Sequence, residues 1–455
     1  MNMIPFTLKD IAASCGGKYV GPESLASACI TGVVRDSRQV SEGNLFLCIK
    51  GASVDGHDFA EKAYDSGALC CLVQRPLNTE KPYILVDSVL DAVRYIAAEY
   101  RRRLTLPIVG IVGSFGKTTA KEMTASVLSQ KFSVLKTDAN LNNELGVPLT
   151  VLSIKDEHTA AVVEMGISAF GEMEHLAEIV RPDICIMTSI GHCHLEALKD
   201  LNGVLKAKSA VFSYMEKNAL AVLNGDDDML RSYDPKIKKV IYGLSDGCDV
   251  KALNVKNLGY EGTSCDIDTG DCVFPVHINA YGVHVVSAAL AATTVGMALG
   301  MDNDGIATGI SHYKTVGDRA NVIKCDDITI ISDCYNASPA TVAAGIKSLM
   351  SVPGRKVAIL GDMLELGDDS KSLHFNTGVN AQKEGIDCLV ACGERAKDIY
   401  DGFISARPEQ KAYYYMHKND FINDIHRVIQ EGDTILVKAS HSMRFEDIVE
   451  KLKEF

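Results

Sequence analysis

The sequence predicts a three-domain α/β protein: a small N-terminal α/β domain, a central P-loop domain with a mostly parallel sheet and helices, and a C-terminal Rossmann-like α/β domain. Three observations carry this expectation. At 455 residues the chain exceeds what one ordinary core organises. Apolar runs of strand length alternate with stretches of helical period, the pattern of parallel sheets covered by helices. At residues 110–119 an apolar run ends in a glycine turn that carries a lysine and two threonines.

Residues 1–88 form the first block. Leu45-Phe46-Leu47-Cys48-Ile49 and Cys70-Cys71-Leu72-Val73 read as strands, and residues 59–66 as a helix. Residues 89–312 form the second, with strand-like runs at 107–112, 160–164, 184–189 and 220–224. Parallel strands present ligand loops at their C-terminal ends, so those four ends are where a site belongs. Residues 117–130 read as a helix with Met123, Val127 and Leu128 on one face. The small-apolar stretch 283–301 contains His284 and reads as a packed helix rather than a membrane span. Residues 313–455 form the third block, with strands expected at 328–332, 356–360, 388–391 and 434–438. A cleft between this second doubly wound sheet and the central one is the natural place for chemistry.

Composition narrows the function. The chain has 59 acidic and 46 basic residues, a net charge of -13, which argues against a nucleic-acid binder relying on a broad positive surface. The 14 cysteines are scattered without any C-x-x-C pair, as expected of a reducing cytoplasm. Lys9 is the first basic residue and no long apolar run follows it, so no signal peptide is expected.

The glycine loop Gly113-Ser114-Phe115-Gly116-Lys117-Thr118-Thr119 has the chemistry of a phosphate cradle. Amides at a helix N-terminus and the helix dipole attract phosphate oxygens, Lys117 adds positive charge, and the Thr118 hydroxyl suits Mg2+. The spacing departs from the general P-loop pattern, because Ile111 occupies the first glycine position. Glu164 ends a strand in Val162-Val163-Glu164-Met165-Gly166, where a carboxylate holds a metal or merely faces solvent. His194 follows another strand in Gly191-His192-Cys193-His194-Leu195-Glu196. The two histidines and the cysteine invite a zinc reading, but no second ligand cluster accompanies them, and beside Lys117, Thr118 and Glu164 the better role for His194 is at a magnesium site.

These strings, together with Asn140-Leu141-Asn142-Asn143-Glu144-Leu145-Gly146-Val147-Pro148, resemble the Mur ligases, the ATP-dependent amide ligases of peptidoglycan precursor synthesis. The glycine-loop variant is the form that family uses. The resemblance spans essentially the whole chain. Asp36-Ser37-Arg38, Lys50-Gly51 and Asp55-Gly56-His57-Asp58-Phe59 are similar to the family's UDP-sugar-binding domain, which implies substrate contacts from Ser37, Arg38 and Lys50, and from Asn142 and Asn143. Asp333-Cys334-Tyr335-Asn336-Ala337-Ser338-Pro339 and Leu360-Gly361-Asp362-Met363-Leu364-Glu365-Leu366-Gly367, with His374 after them, resemble the branch that adds D-alanyl-D-alanine to UDP-N-acetylmuramoyl-tripeptide.

The resemblance further implies nucleotide contacts from Arg319, Asp333 and Asn336, catalytic roles for Lys117, His194, Lys208 and Arg319, and two Mg2+ ions. Thr118, Glu164, His194 and Lys208 would hold these ions, Lys208 after carbamoylation, which turns a cation into an oxygen ligand. The implied reaction passes through an acyl phosphate, with the third domain closing on the bound ligands. A cytoplasmic monomer is expected. The chain also departs from the family. Where the family has G-x-H-N-V-x-N-A-L-A-A, it carries Gly282-Val283-His284-Val285-Val286-Ser287-Ala288-Ala289-Leu290-Ala291-Ala292, losing both asparagines. The first commonly contacts adenine, so Val285 removes a hydrogen-bonding handle of ~1 kcal/mol. Lys208-Ser209-Ala210 and Lys438-Ala439-Ser440-His441 also differ from the usual strings. A ligase with another carboxylate and amine, or a nucleotide-binding homologue with reduced activity, are therefore the alternatives.

Overall fold

The computed structural model describes residues 3–51, 53–280, 282, 284–315, 321–405 and 407–455. Three sheets organise them. The first comprises β1 (Lys18–Val20), β2 (Gly32–Val34), β3 (Asn44–Leu47), β4 (Cys70–Val73) and β5 (Tyr83–Leu85), in the order β1-β5-β4-β3-β2 with only β1 antiparallel. β3 and β4 are buried along their whole length, as their unbroken apolar runs require of strands covered on both faces.

The central sheet comprises β6 (Ile108–Val112), β7 (Val134–Lys136), β8 (Ala160–Glu164), β9 (Ile184–Met187), β10 (Leu220–Asn224), β11 (Lys238–Gly243), β12 (Val250–Asn257), β13 (Thr263–Asp268) and β14 (Val273–Ile278). Its order is β14-β13-β12-β11-β10-β9-β6-β8-β7. Strands β7 to β12 are parallel neighbours, whereas β13 and β14 extend the sheet as antiparallel hairpins. The chain order reverses beside β6, which has β8 on one side and β9 on the other. Ile111 pairs with Glu164 and Val112 with Met187, so the three strands end nearly flush and their following loops share one edge. That reversal is where open α/β sheets bind ligands.

The third sheet comprises β15 (Asn321–Lys324), β16 (Thr329–Ser332), β17 (Arg355–Gly361), β18 (Cys388–Cys392), β19 (Lys411–Tyr415) and β20 (Asp433–Lys438), ordered β15-β16-β20-β17-β18-β19, with β15 alone antiparallel. Helices cover both of its faces over two separate apolar cores.

The first two sheets are joined differently. Helix Val89–Arg103, capped by Ser88, packs its apolar face into a single core that runs from Phe6 and Leu45 through Tyr100 to Val147, Val163 and Leu176. The Tyr100 hydroxyl donates to the Ile154 carbonyl at 2.6 Å and accepts the Ile4 amide at 3.0 Å. The opposite face of the central sheet is covered by helices Lys117–Leu128, His284–Ala298 and Asn303–Ser311. No described helix is long and apolar enough to cross a membrane.

Candidate active site

The glycine loop links β6 to helix Lys117–Leu128, and its two glycines are required by geometry. Gly116 caps the helix with φ 76°, a conformation that side chains disfavour. Gly113 has φ 152°, and a Cβ there would lie 2.0 Å from Thr188 Oγ1. Thr188, beyond β9, supports the loop by donating its hydroxyl to the Phe115 carbonyl at 2.5 Å. The Ser114 amide donates to the Ser189 carbonyl, and the Phe115 amide to Ser189 Oγ. Gly113→Ala is expected to push Thr188 off the loop and destabilise the protein by about 2 kcal/mol, with a weaker ATP affinity. Urea unfolding and nucleotide titration check this, and an alanine variant matching the parent in both would show that the loop tolerates the side chain.

Lys117 Nζ spans the loop mouth, donating to the carbonyls of Gly113 at 2.8 Å and Ser114 at 3.3 Å. One residue on, Thr118 Oγ1 donates to Glu164 Oε2 at 3.1 Å. Asn142 Nδ2 donates to the other carboxylate oxygen at 2.8 Å. Thr118 and Glu164 thus place hard oxygen donors together beside the phosphate loop, a donor set that fits Mg2+. Asn143 also lines the cleft, and its side-chain oxygen accepts the Gly146 amide at 2.9 Å, beside the start of helix Gly146–Leu152. Among the described residues no three His, Cys, Asp or Glu side chains gather as a self-contained metal site. A cation there needs oxygens from the phosphates as well.

His194 stands before the short helix Leu195–Leu198 with φ 50°. Burial, with help from the charges of Lys208 and Lys117, lowers its pKa against the pull of Glu365, which keeps the imidazole neutral at neutral pH. Lys208, on helix Leu201–Ser209, is 1% exposed and lies beneath the cleft rather than in its wall. Burial and then the Lys117 charge bring its pKa down to about 8.

The C-terminal domain supplies the facing wall. Asp333 follows β16 and accepts from Lys438 Nζ at 2.5 Å, while the same ammonium donates to the Asn336 carbonyl at 2.8 Å. Asn336 folds its own side chain back onto the Ala337 amide. Arg319 lies outside the described residues. Between the two walls runs a cavity of about 1160 Å3, lined by the glycine loop, Glu164, His194, Asp333 and Asn336. Val285, Ser287 and Ala288 line it too, so the departures from the family string fall in its wall beside Tyr242. Its N-terminal rim is Ile49, Leu90, Asp91 and Arg94. Ser37, Arg38 and Lys50 are absent from that lining; Ser37 is buried, and exposed Arg38 pairs with Asp36 at 2.6 Å.

Sequence reasoning passed over Lys121. Its buried ammonium donates to the Thr137 carbonyl at 2.9 Å and stands 3.1 Å from Glu122 and 3.8 Å from Glu164. It thereby ties the phosphate-loop helix to the segment that carries Asn142. The four-residue spacing from Lys117, on the same helix face, was the available signal.

Family models match most of the chain: the Mur ligase family catalytic domain at residues 29–109, the Mur ligase middle domain at 111–296, and the Mur ligase glutamate ligase domain at 318–441. The chain is 34% identical to the UDP-N-acetylmuramoyl-tripeptide–D-alanyl-D-alanine ligase of Bacillus subtilis, covering 99% of both chains. It is 32% identical to the enzyme of the same name from Escherichia coli, again over 99% of each. Among solved structures, MurF from Acinetobacter baumannii superposes with a TM-score of 0.91 at 28% identity over 100% of both chains. MurF from Thermotoga maritima in complex with ADP gives 0.82 at 30% identity, covering 93% of this chain and 97% of the other.

Proposed function

The chain belongs to the Mur ligase family, and from that premise we propose that it joins D-alanyl-D-alanine to UDP-N-acetylmuramoyl-tripeptide at the expense of ATP, in peptidoglycan precursor synthesis. The observation that carries this is the cleft in which the glycine loop and the Thr118–Glu164 pair face the Asp333–Asn336 segment of another domain. The glycine-loop amides and Lys117 hold the ATP phosphates. Thr118 and Glu164 hold one magnesium ion, and His194 with Lys208 a second. When bound, magnesium neutralises charge on the transferring phosphoryl group. Asp333, Asn336 and Arg319 approach the nucleotide from the C-terminal side. Ser37, Arg38 and Lys50 are assigned to the UDP end of the substrate, and Asn142 and Asn143 to its peptide end.

In the first step the terminal carboxylate of the tripeptide attacks the γ-phosphorus, giving an acyl phosphate and ADP. The dipeptide amine then attacks the acyl carbon, losing a proton as phosphate leaves. Lys117 leaves its two loop carbonyls to follow the charge that develops on the γ-phosphoryl oxygens, and no protein nucleophile is needed. Carbamoylation of Lys208 is part of the proposal, supported by its lowered pKa. At pH 7 about a tenth of such a lysine is the neutral amine that reacts with CO2, against less than a thousandth for an ordinary one. Because one chain supplies both walls of the cleft, a monomer suffices; we place it in the cytoplasm, with its 14 cysteines unpaired. The domain limits 1–88, 89–312 and 313–455 belong to the same proposal.

Phosphate release from purified protein, given ATP, Mg2+, both substrates and each omission in turn, tests the assignment. Turnover that requires both the tripeptide and the dipeptide is expected. Tight ATP binding without dipeptide-dependent turnover would leave a nucleotide-binding homologue instead.

A further inference from the structure

We propose that Glu365, from the C-terminal domain, is a positioning residue of the reaction: it fixes the His194 imidazole and so completes the cation site only when that domain is docked. This rests on the ligase reading above. The contact joins domains whose residues lie far apart in sequence. His194 Nδ1 is 2.6 Å from Glu365 Oε2, and the Leu195 amide donates to the Glu365 carbonyl at 3.1 Å. Both atoms of one residue therefore receive the same short segment, a two-point grip rather than a chance surface pair.

The backbone on both sides is held in an uncommon conformation. His194 has φ 50° and Glu365 φ 62°, and neither is glycine. Left-handed backbone at such residues costs about 1 kcal/mol each and persists where the surroundings impose it. Those surroundings are visible around Glu365. The Met363 amide donates to His374 Nε2 at 2.9 Å, and the Leu364 amide to Ser440 Oγ at 2.9 Å. His374 is fully buried, with Nδ1 bonded to the Ser370 carbonyl. Met363 and Leu366 flank the turn as core side chains. The side chain of Glu365 is 60% exposed, so burial does not explain why the turn is built to present it.

The chemistry follows from the imidazole. With Nδ1–H donated to a carboxylate, Nε2 is the nitrogen left with a lone pair, and the ring cannot rotate away. Carboxylates in this position orient metal-binding histidines and raise their basicity, and losing one typically weakens metal affinity or activity by about 10–100-fold. Here that partner comes from the domain that also carries Asp333 and Asn336. Docking the domain and setting the histidine are one event.

The test uses the full chain and three variants: Glu365→Gln, Glu365→Ala and Glu365→Asp. Mn2+ affinity of the ADP complex, followed by electron paramagnetic resonance, is expected to fall at least tenfold in the glutamine and alanine variants and to recover partly in the aspartate one. The Mg2+ concentration for half-maximal turnover should rise in parallel, with kcat reduced and the KM for ATP little changed. In 15N-histidine-labelled protein the His194 signals should lose their fixed tautomer. Melting temperatures should stay with the parent, since the side chain is on the surface. Unchanged Mn2+ affinity and an unchanged His194 tautomer in both the glutamine and alanine variants would overturn the proposal. A parent protein without turnover would instead sink the ligase reading, and the Mn2+ and 15N measurements would still decide the role of Glu365.

Discussion

Lys117→Met is expected to lower kcat on the order of a thousandfold while leaving the melting temperature close to that of the parent. The magnitude is that of removing a preorganised charge from a phosphoryl-transfer site. The location is set by the structure: Nζ lies over the loop mouth, where it donates to the carbonyls of Gly113 and Ser114. Methionine keeps the stem of the side chain and its packing, so the loss isolates the charge. Single-turnover formation of the acyl phosphate at saturating ATP is the measurement. A rate within about tenfold of the parent would remove Lys117 from the chemical step.

Lys208→Met is expected to abolish turnover and yet to stabilise the protein. The two effects have one source. A buried lysine with a pKa near 8 is held against the 10.5 of the unfolded chain. Between these values the unfolded state binds more protons, so stability rises with pH across that window, and below about pH 8 the full penalty is present. The difference corresponds to about 3 kcal/mol at pH 7. Methionine escapes that cost. In CO2-free buffer its urea midpoint should exceed the parent's at pH 7, and the gap should close as pH rises towards 10. A methionine variant less stable than the parent at pH 7 would show that the ammonium is well accommodated in the fold. Full activity of the variant would remove any role for a carbamate.

Much of the site was legible because its parts are local. The glycine loop, Thr118 and Glu164 each sit at a strand end, and one sheet edge collects them whatever the rest of the chain does. Asn142 was identified by its string, and its bond to Glu164 gives that string a physical purpose. Asn143 carries a second task that its string alone does not reveal, since its carboxamide oxygen accepts the Gly146 amide at the start of a helix. For Lys121 the spacing from Lys117 gave only its helix face; that the 137–139 segment lies over its ammonium is set by the fold. Glu365 was unreadable for a similar reason: its partner stands in another domain. Within the fold, the fully buried parallel strands such as β3, β4, β6, β8, β18 and β20 announced themselves as apolar runs, whereas β7, β11 and β19, with polar ends and partly exposed faces, did not. Strands β12 to β14 were hidden as well, because one face is exposed and apolar residues alternate with polar ones, as in Val273–Ile278, where Pro275 sits on the edge strand. The N-terminal rim was missed because Leu90 and Arg94 stand on a helix at the start of the second block, far in sequence from every strand end that marks the site.

That helix has a mechanical consequence. Val89–Arg103 packs two of the three sheets onto one apolar core, whereas the third sheet has cores of its own, so the proposed closure is expected to carry the third domain against the other two together. The cleft lies where that closure would act. A small molecule wedged between the glycine loop and the Asp333 wall would act as a doorstop against the proposed closure without resembling either a nucleotide or a sugar.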